Sequence, residues 1–416
     1  MKLKKMIDKL RKCRICGNNN LEIVVDLGMQ YLTGRFPKDK NENITMGPLE
    51  LVQCNYDSGC GLVQLNHSYD LNEMYGESYG YRSGLNSDMV KHLQLKVKKI
   101  LDMELLLDGD CVLDIGSNDG TSLNSYPPNK YRLIGIDPSS KKFQKYYNKG
   151  IDRVADFFSS TTFKKKYPDI YPKIITSFSM YYDLEDPVIF ASDISSVLDT
   201  DGLWIFEQSY LPFMLNSNSF DTICHEHLEY YSLHQIKFIL DQVDMHICDV
   251  EFNDVNGGSF SITASKMKGK HLEYFDLDKL LENEKNLGIH TGDAFRIFNN
   301  KVSMEKEKLI KFLREQKGKG KKVSGLGAST KGNVLLQYYG IDETLVENIA
   351  EVNPDKYSCF TPGSLIPIKS QNEVLNSNPD YLLVLPWHFR DFFLNMDELK
   401  GQKLIFPLPK FEIVSV

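Results

Sequence analysis

The 416-residue chain lacks any apolar run long enough to cross a bilayer: its longest runs, such as Tyr381 to Leu385, are strand length, against the roughly 20 residues a span requires. It also lacks an excess of positive charge. With 49 Lys+Arg against 56 Asp+Glu, a net charge of −7 and a pI near 5.8, a general phosphate-backbone binder is excluded, and no nucleic-acid or membrane partner is expected. The opening MKLKKMIDKLRK has the charge of a secretory n-region, but Cys13 to Asn20 behind it is polar, so no secretion signal is expected. Internal repeats, low-complexity tracts and a GxGxxG dinucleotide fingerprint are missing as well. What remains is 42% hydrophobic and 11% aromatic, with core enough for two or three domains at roughly 150 residues each. A cytoplasmic, monomeric chain is the expectation.

Three blocks emerge along the chain. Residues 1–70 read as short strands and turns (Glu22 to Leu27, Leu49 to Gln53, Leu62 to Leu65) without a core of their own. Over residues 71–265 an amphipathic stretch, Met89 to Leu107, precedes apolar runs at Cys111 to Ile115, Tyr131 to Ile136, Lys173 to Phe178 and Gly202 to Glu207, separated by helical patterns. That alternation predicts an α/β fold with a parallel sheet and crossover helices. Residues 266–416 open on a charged helical stretch, Tyr274 to Gln316, and then restart the alternation at Val323 to Leu326, Val346 to Glu351 and Tyr381 to Leu385, predicting a second, smaller α/β domain. The basic run Lys317 to Lys322 between them reads as a solvated helix end.

The eight cysteines are too few and too unevenly spaced for a disulfide framework in a reducing compartment. Cys13 and Cys16 form a CxxC knuckle with Gly17 after it, and Cys54 and Cys60 form a second pair followed by Gly61. Two such pairs suit a tetrahedral four-thiolate zinc site, which substitutes for a core in a small module. Four buried free thiols, or a redox CxxC, are the other readings. His67 stands in reserve as a ligand because the second pair is widely spaced.

In Val112 to Thr121, VLDIGSNDGT, an apolar strand carrying Asp114 runs into a turn with Gly116, Asn118 and Gly120 before a helix. Glycines there let backbone approach a ligand at the carboxyl end of the first strand. Asp119 in the same turn disfavours a pyrophosphate and suits a ligand with a cationic centre and an adenosine. Asp137 closes the next strand about 20 residues on, where a carboxylate reaches a ribose diol. Together these segments resemble motifs I and II of class I S-adenosylmethionine methyltransferases, and Asp156 after the third strand matches the acidic residue near the adenine in that family.

Phe220 to Ser232 holds Cys224-His225-Glu226-His227 and two tyrosines. On an extended segment His225 and His227 share one face and Glu226 takes the other. Metal binding, a general base or a structural cluster are all open on these residues alone; a neutral imidazole among carboxylates and phenols is suited to removing a proton near neutral pH.

The order of motifs now points to a family. The four-cysteine module, the VLDIGSNDG turn, the HEH segment, Gly325-Leu-Gly-Ala-Ser-Thr-Lys-Gly-Asn333, Thr361-Pro-Gly-Ser-Leu-Ile-Pro367 and Leu385-Pro-Trp-His388 together resemble nucleotide-sugar C-methyltransferases over essentially the whole chain. The resemblance implies an N-terminal zinc-binding module, a class I Rossmann-like methyltransferase core and a C-terminal Rossmann-like domain that helps bind a dTDP- or GDP-linked sugar. It implies His227 as the base that removes a proton next to a C4 ketone, with Glu226 holding the sugar and His225 the other candidate. It also implies an anion site for the diphosphate at Ser329 and Lys331, and substrate contacts at Tyr81 and at Asn256 of the Asn256-Gly-Gly-Ser259 loop. Where family members often carry Tyr before HEH, this chain has Cys224, and where some carry His after the fourth strand it has Met180-Tyr181-Tyr182. Tyr181 or Tyr182 is therefore expected to supply the missing phenol. Competing functions are O-methylation of a nucleotide sugar or other hydroxylated metabolite, and a non-catalytic zinc-ribbon scaffold.

Overall fold

The structure, a computed structural model, describes residues 7–70, 73–74, 82–267 and 275–416. Its centre is a seven-stranded sheet in the spatial order His246–Asn253, Ser259–Ser265, Leu203–Ser209, Ile174–Phe178, Cys111–Ile115, Arg132–Ile136, Asp152–Val154. Ser259–Ser265 runs antiparallel to both its neighbours, and the remaining strands share one direction. From Cys111–Ile115 the chain moves outward through Arg132–Ile136 and Asp152–Val154, then returns to the other side at Ile174–Phe178. This is the class I methyltransferase arrangement, and the reversal opens a crevice beyond the carboxyl ends of Cys111–Ile115 and Ile174–Phe178. All five residues of Cys111–Ile115 are buried, as a central strand covered on both faces must be.

The helix Ser87–Asp102 covers one face of this sheet. Asn86 starts it, its side-chain oxygen accepting the N–H groups of Asp88 and Met89 at 2.9 and 3.2 Å, a cap worth about 1 kcal/mol. Leu93, Lys96, Val97 and Ile100 recur at helical spacing and are its buried side. Val97 and Ile100 join Val112, Ile174, Leu203 and Ile205 in one apolar cluster.

A second sheet of six strands, ordered Ile368–Ser370, Ile349–Glu351, Val323–Leu326, Tyr381–Val384, Lys403–Phe406, Glu412–Ser415, forms the C-terminal part and is parallel but for its last strand. It follows two helices, Leu277–Asn286 and the long Asp293–Gly318, where the sequence predicts one charged helical stretch. The antiparallel hairpin at the edge of the central sheet and the final antiparallel strand lie outside the strands expected from apolar runs.

The N-terminal sheet sits between these two parts. Leu21–Tyr31, Met46–Cys54 and Val63–Leu65 pair antiparallel, and the fourth strand is Glu229–Tyr230, directly after the HEH segment. On one side Val25, Leu27, Leu49 and Leu51 pack in one cluster with Phe295, Val302 and Val334 of the C-terminal part. On the other, Cys13, Ile15, Cys60 and Leu62 pack with Tyr231, Leu233 and Ile236. Asn333 donates to the Thr33 carbonyl at 2.7 Å and Asn299 to that of Val24 at 2.8 Å. Residues 7–70 borrow their core from both larger parts, which is why the segment reads as coreless. Among the described residues no helix is long and apolar enough to cross a membrane.

Candidate active site and metal centre

One cavity of about 1090 Å³ opens at the crevice and is lined by residues from all three parts. At its cofactor end the strand Cys111–Ile115 delivers Asp114, buried, with Oδ1 accepting the Thr176 hydroxyl at 2.6 Å; burial pushes its carboxyl up to about 7. Gly116 follows at φ +74°, and a Cβ there would lie 3.0 Å from Met180 Cγ. Asn118 also lines the cavity, and its N–H donates to Asp137 Oδ2 at 2.9 Å while Ser139 N–H donates to Oδ1 at 2.6 Å. Asp137 thus holds two turns together and keeps a second lone pair on each oxygen for a diol. Asp156, Phe157 and Phe158 form an acidic and aromatic end beyond it. This cradle fits S-adenosylmethionine: close backbone at Gly116, paired acceptors at Asp137, apolar faces for an adenine.

Two parts of the expected cofactor set behave otherwise. Gly120, at φ +79°, does not reach the cavity; a Cβ there would lie 2.8 Å from the Tyr147 ring, so the glycine is required for packing. Asp119 turns away from the cavity to accept Gly84 N–H at 3.0 Å and the Thr121 hydroxyl at 2.6 Å. With Asn118 Oδ1, which accepts Ser83 N–H at 3.0 Å, it pins the segment leading into the core.

At the other end the HEH segment is a turn, closed by His227 N–H to the Cys224 carbonyl at 3.3 Å. The alternation expected of an extended segment is therefore lost, and the two histidines part company. Glu226 and His227 line the cavity with Cys224. His225 is fully buried on the opposite side, its ring edge-on to Tyr69 at 4.7 Å, and does not face the cavity. Burial lowers its pKa to about 3.

His227 Nδ1 donates to the Thr222 carbonyl at 2.9 Å. That bond selects the tautomer with the lone pair on Nε2, at the cavity side. Burial, then the charge of Lys331, lowers the imidazole to about 4, so it is neutral at neutral pH. Tyr182 stacks obliquely on it, with ring centroids 4.4 Å apart, and lines the cavity. Tyr181, one residue earlier, is no substrate contact: the 3₁₀ turn Tyr181–Asp183 sends it into the core against Trp204, Phe206 and Tyr231, its hydroxyl donating to the Pro187 carbonyl at 2.9 Å. Burial raises the Glu226 carboxyl and holds the Cys224 thiol well above its ordinary value, so Cys224 stays protonated. Gly34 passes so near Glu226 that a Cβ there would lie 2.5 Å from its Oε1. Tyr81 lies outside the described residues.

The C-terminal loop brings both expected residues to the cavity and gives each a further contact. Ser329 and Lys331 line the cavity, but Ser329 Oγ caps the helix Thr330–Tyr339 by accepting Gly332 N–H at 3.0 Å, and Ala328 N–H already donates to the Glu351 carboxylate at 3.0 Å. Lys356 pairs with the same carboxylate at 3.7 Å and donates to the Ala328 carbonyl at 2.7 Å. Lys331 Nζ donates to the Asn256 carbonyl at 2.6 Å, tying Asn256, itself at φ +56°, to the C-terminal part.

The sequence reading missed several lining residues. His92 and Glu207 stand 2.5 Å apart, Nε2 to Oε1, and Lys96 and Asn253 reach the other oxygen at 2.8 and 2.9 Å. Burial alone would raise Glu207, but His92 and Lys96 outweigh it and its carboxyl lies below its ordinary value. Arg35, Lys38 and Lys356 supply cations elsewhere on the wall. Arg35-Phe36-Pro37-Lys38, an aromatic between basic residues, is a sequence signal for the first two.

The metal centre lies apart from the cavity. The Sγ atoms of Cys13, Cys16, Cys54 and Cys60 all fall within 4.8 Å of one another, with Cys13 to Cys60 and Cys16 to Cys54 each 3.5 Å apart. Four thiolates about 2.3 Å from one tetrahedral zinc would be about 3.8 Å apart, so the set fits the ion. His67 is not part of it.

Comparison with known proteins agrees with this geometry. Residues 13–75 match a zinc binding domain model, residues 88–248 a methyltransferase domain and residues 254–409 the C-methyltransferase C-terminal domain. The three matches follow one another along the chain in the order of a three-part C-methyltransferase. Over 416 residues it is 26% identical to the C-methyltransferase NovU of Streptomyces niveus, covering 99% of this chain and 98% of that protein. Solved structures similar to part of this C-methyltransferase include magnesium protoporphyrin IX methyltransferase from Synechocystis PCC 6803 (15% identity, 43% of this chain and 82% of that one, TM-score 0.32) and the plantazolicin methyltransferase BpumL (12%, 43% and 84%, TM-score 0.33). The protein is an S-adenosylmethionine-dependent C-methyltransferase with a zinc-binding N-terminal module.

Proposed function

We propose that this C-methyltransferase alkylates the carbon next to the ketone of a nucleotide-linked 4-keto-deoxysugar, dTDP- or GDP-linked, in deoxysugar or surface-polysaccharide synthesis. The observation that carries the reading is His227: neutral, held through Nδ1 by Thr222, with a free Nε2 in the cavity wall. A base in that state removes a weakly acidic C–H proton, which only an adjacent carbonyl makes accessible. Transfer to a hydroxyl uses a base as well, so the position of the new methyl separates the two reactions. Glu226 and Tyr182 flank the base and hold the sugar, with Cys224 and Asn256 completing that wall. Asp114, Gly116, Asn118, Asp137 and Asp156 would hold S-adenosylmethionine, which supplies an electrophilic methyl group. We read 1–70 as the zinc module, 71–265 as the cofactor domain and 266–416 as the domain that contributes to nucleotide-sugar binding.

The test is methyl transfer to dTDP- and GDP-linked 4-keto sugars, with the product's new methyl located by NMR. A carbon-bound methyl next to C4, lost at least 100-fold in His227→Asn with cofactor affinity retained, is expected. A methyl on oxygen, or full activity in His227→Asn, defeats the reading.

A further inference from the structure

Lys331 is a cation in the cavity wall shared with His227. It lies in the first turn of the helix Thr330–Tyr339, in the wall shared with His227, Cys224, Glu226 and Asn256. Its Nζ gives one hydrogen bond, to the Asn256 carbonyl at 2.6 Å, and among the described residues no carboxylate lies within ion-pair distance of it. Two N–H donors of the ammonium are left for a ligand. Asp221 is close enough to favour its charge, but the Asp221 carboxylate itself accepts Trp387 Nε1–H at 2.8 Å. The ammonium in turn acts on the His227 ring, and on the buried His388. Of the neighbouring backbone, Ala328 N–H donates to Glu351, which also pairs with Lys356 at 3.7 Å, and Gly332 N–H donates to the Ser329 hydroxyl.

We propose that Lys331 is a catalytic residue that donates to the ketone oxygen as it becomes an enolate, and that it is not the ligand of the diphosphate. The inference rests on the keto-sugar reading above. His227 Nε2 takes the proton from carbon, the C–H pair becomes the C=C bond, and the carbonyl π pair moves onto oxygen, where the Lys331 ammonium meets the new charge. The pair then returns, the carbonyl re-forms, and the carbon takes the methyl group as the S–CH₃ bond breaks with its pair remaining on sulfur. The proton on His227 is released to solvent. A cation fixed through Asn256 needs little reorganisation during the step, which is what makes such a donor effective.

Exchange of the sugar proton next to the ketone, followed by NMR in D₂O with S-adenosylhomocysteine bound, isolates this step from methyl transfer. Lys331→Met should slow exchange about 10²- to 10³-fold, with Lys331→Arg within about tenfold of wild type. Removing the ammonium should also shift the acid limb of the exchange profile to higher pH, because its charge is part of what keeps His227 unprotonated. Binding of the sugar-free nucleoside diphosphate, by calorimetry, should stay within threefold. If Lys331→Met melts early, Lys331→Gln at lower temperature carries the same comparison. Exchange at wild-type rate in the folded variant overturns the proposal, as does a tenfold or greater loss of nucleoside diphosphate affinity. If the wild type neither exchanges nor methylates any 4-keto sugar, the keto-sugar reading itself fails.

Discussion

Replacing Asp137 by alanine is the sharpest test of the cofactor end. Both of its oxygens already accept backbone N–H groups, Oδ2 from Asn118 at 2.9 Å and Oδ1 from Ser139 at 2.6 Å. Each retains a lone pair for a ribose hydroxyl, and a hydrogen bond to a charged group contributes roughly 1.5 to 3 kcal/mol. At about 1.4 kcal/mol per decade, losing that contact alone weakens binding about 10- to 100-fold. The Asn118 bond adds to the same loss, because it holds a residue of the cofactor turn at φ +48° that the free backbone would abandon. The Ser139 bond starts the 3₁₀ turn Pro138–Lys141, so its removal, costing about 1 kcal/mol, appears in stability and not in affinity. Calorimetry with S-adenosylmethionine and S-adenosylhomocysteine should therefore show both affinities falling together, with a drop of a few degrees in Tm. Asp137→Asn should lie between, since its amide oxygen satisfies one N–H while its NH₂ opposes the other. Affinity within threefold of wild type in Asp137→Ala, or NAD bound more tightly than S-adenosylmethionine by the wild type, would refute the assignment.

Other consequences are equally direct. Because His227 is lowered to about 4 and acts when neutral, proton exchange in D₂O should stay nearly flat from pH 8 down to about 5, where an imidazole of ordinary pKa, 6.5, would have lost about 30-fold; an acid limb near 6.5 contradicts the site. His225 is buried neutral with a pKa near 3, so its contribution to stability is complete above about pH 6.5 and is lost as pH falls from there toward 3; acid unfolding of His225→Gln, followed by circular dichroism, should begin at lower pH than in wild type, and an unchanged profile counts against it. One zinc per chain should co-purify, and Cys60→Ser should lose it together with most turnover while keeping cofactor affinity; metal analysis without zinc, or full turnover in the zinc-free variant, removes the claim. Gly34→Ala places a Cβ 2.5 Å from Glu226 Oε1 and should depress turnover more than cofactor binding, which steady-state kinetics and calorimetry separate.

What the sequence made legible was what local pattern encodes. Cys111–Ile115 and Val323–Leu326 are strands over the residues their apolar runs mark, and the two cysteine pairs converge because each knuckle is a local turn with a glycine behind it. Sites built by tertiary contact were not legible. His92 and Glu207 are 115 residues apart, and neither is remarkable until a helix and a strand end bring them to 2.5 Å. Tyr181 and Tyr182 are equivalent in composition; a single 3₁₀ turn sends one into the aromatic core and the other to His227. The HEH segment failed at period two for the same reason. Its alternation holds only for an extended chain, and the fold closes it into a turn so that the following residues can pair with the N-terminal sheet.

That pairing ties the zinc module to the HEH segment while its four cysteines lie outside the cavity wall. Glu229 and Tyr230 pair with Gln64 and Val63, and Leu65 N–H donates to the Leu228 carbonyl at 2.8 Å, so the residue after His227 is itself bonded to a strand of the module. That strand is held in turn by the knuckles: Arg14 donates to the Leu65 carbonyl at 2.9 Å, Arg14 N–H to Gln64 at 3.0 Å, and Gln235 to the Cys60 carbonyl at 2.9 Å. The loop that carries Gly34 and Arg35 to the cavity leaves the opposite end of the same sheet and is fixed to the C-terminal part, where Phe360 N–H donates to the Pro37 carbonyl at 2.8 Å. Four sulfurs around one ion thus stiffen a sheet too small to hold a core, and that sheet orients Glu226 and His227 from one side and the loop facing them from the other. A catalytic base must be positioned within a fraction of an ångström, whereas the cofactor cradle stands on the central sheet, which needs no help from the metal. On the proposed reading, zinc held by the four cysteines would steady the HEH end of the cavity and leave the cofactor end alone.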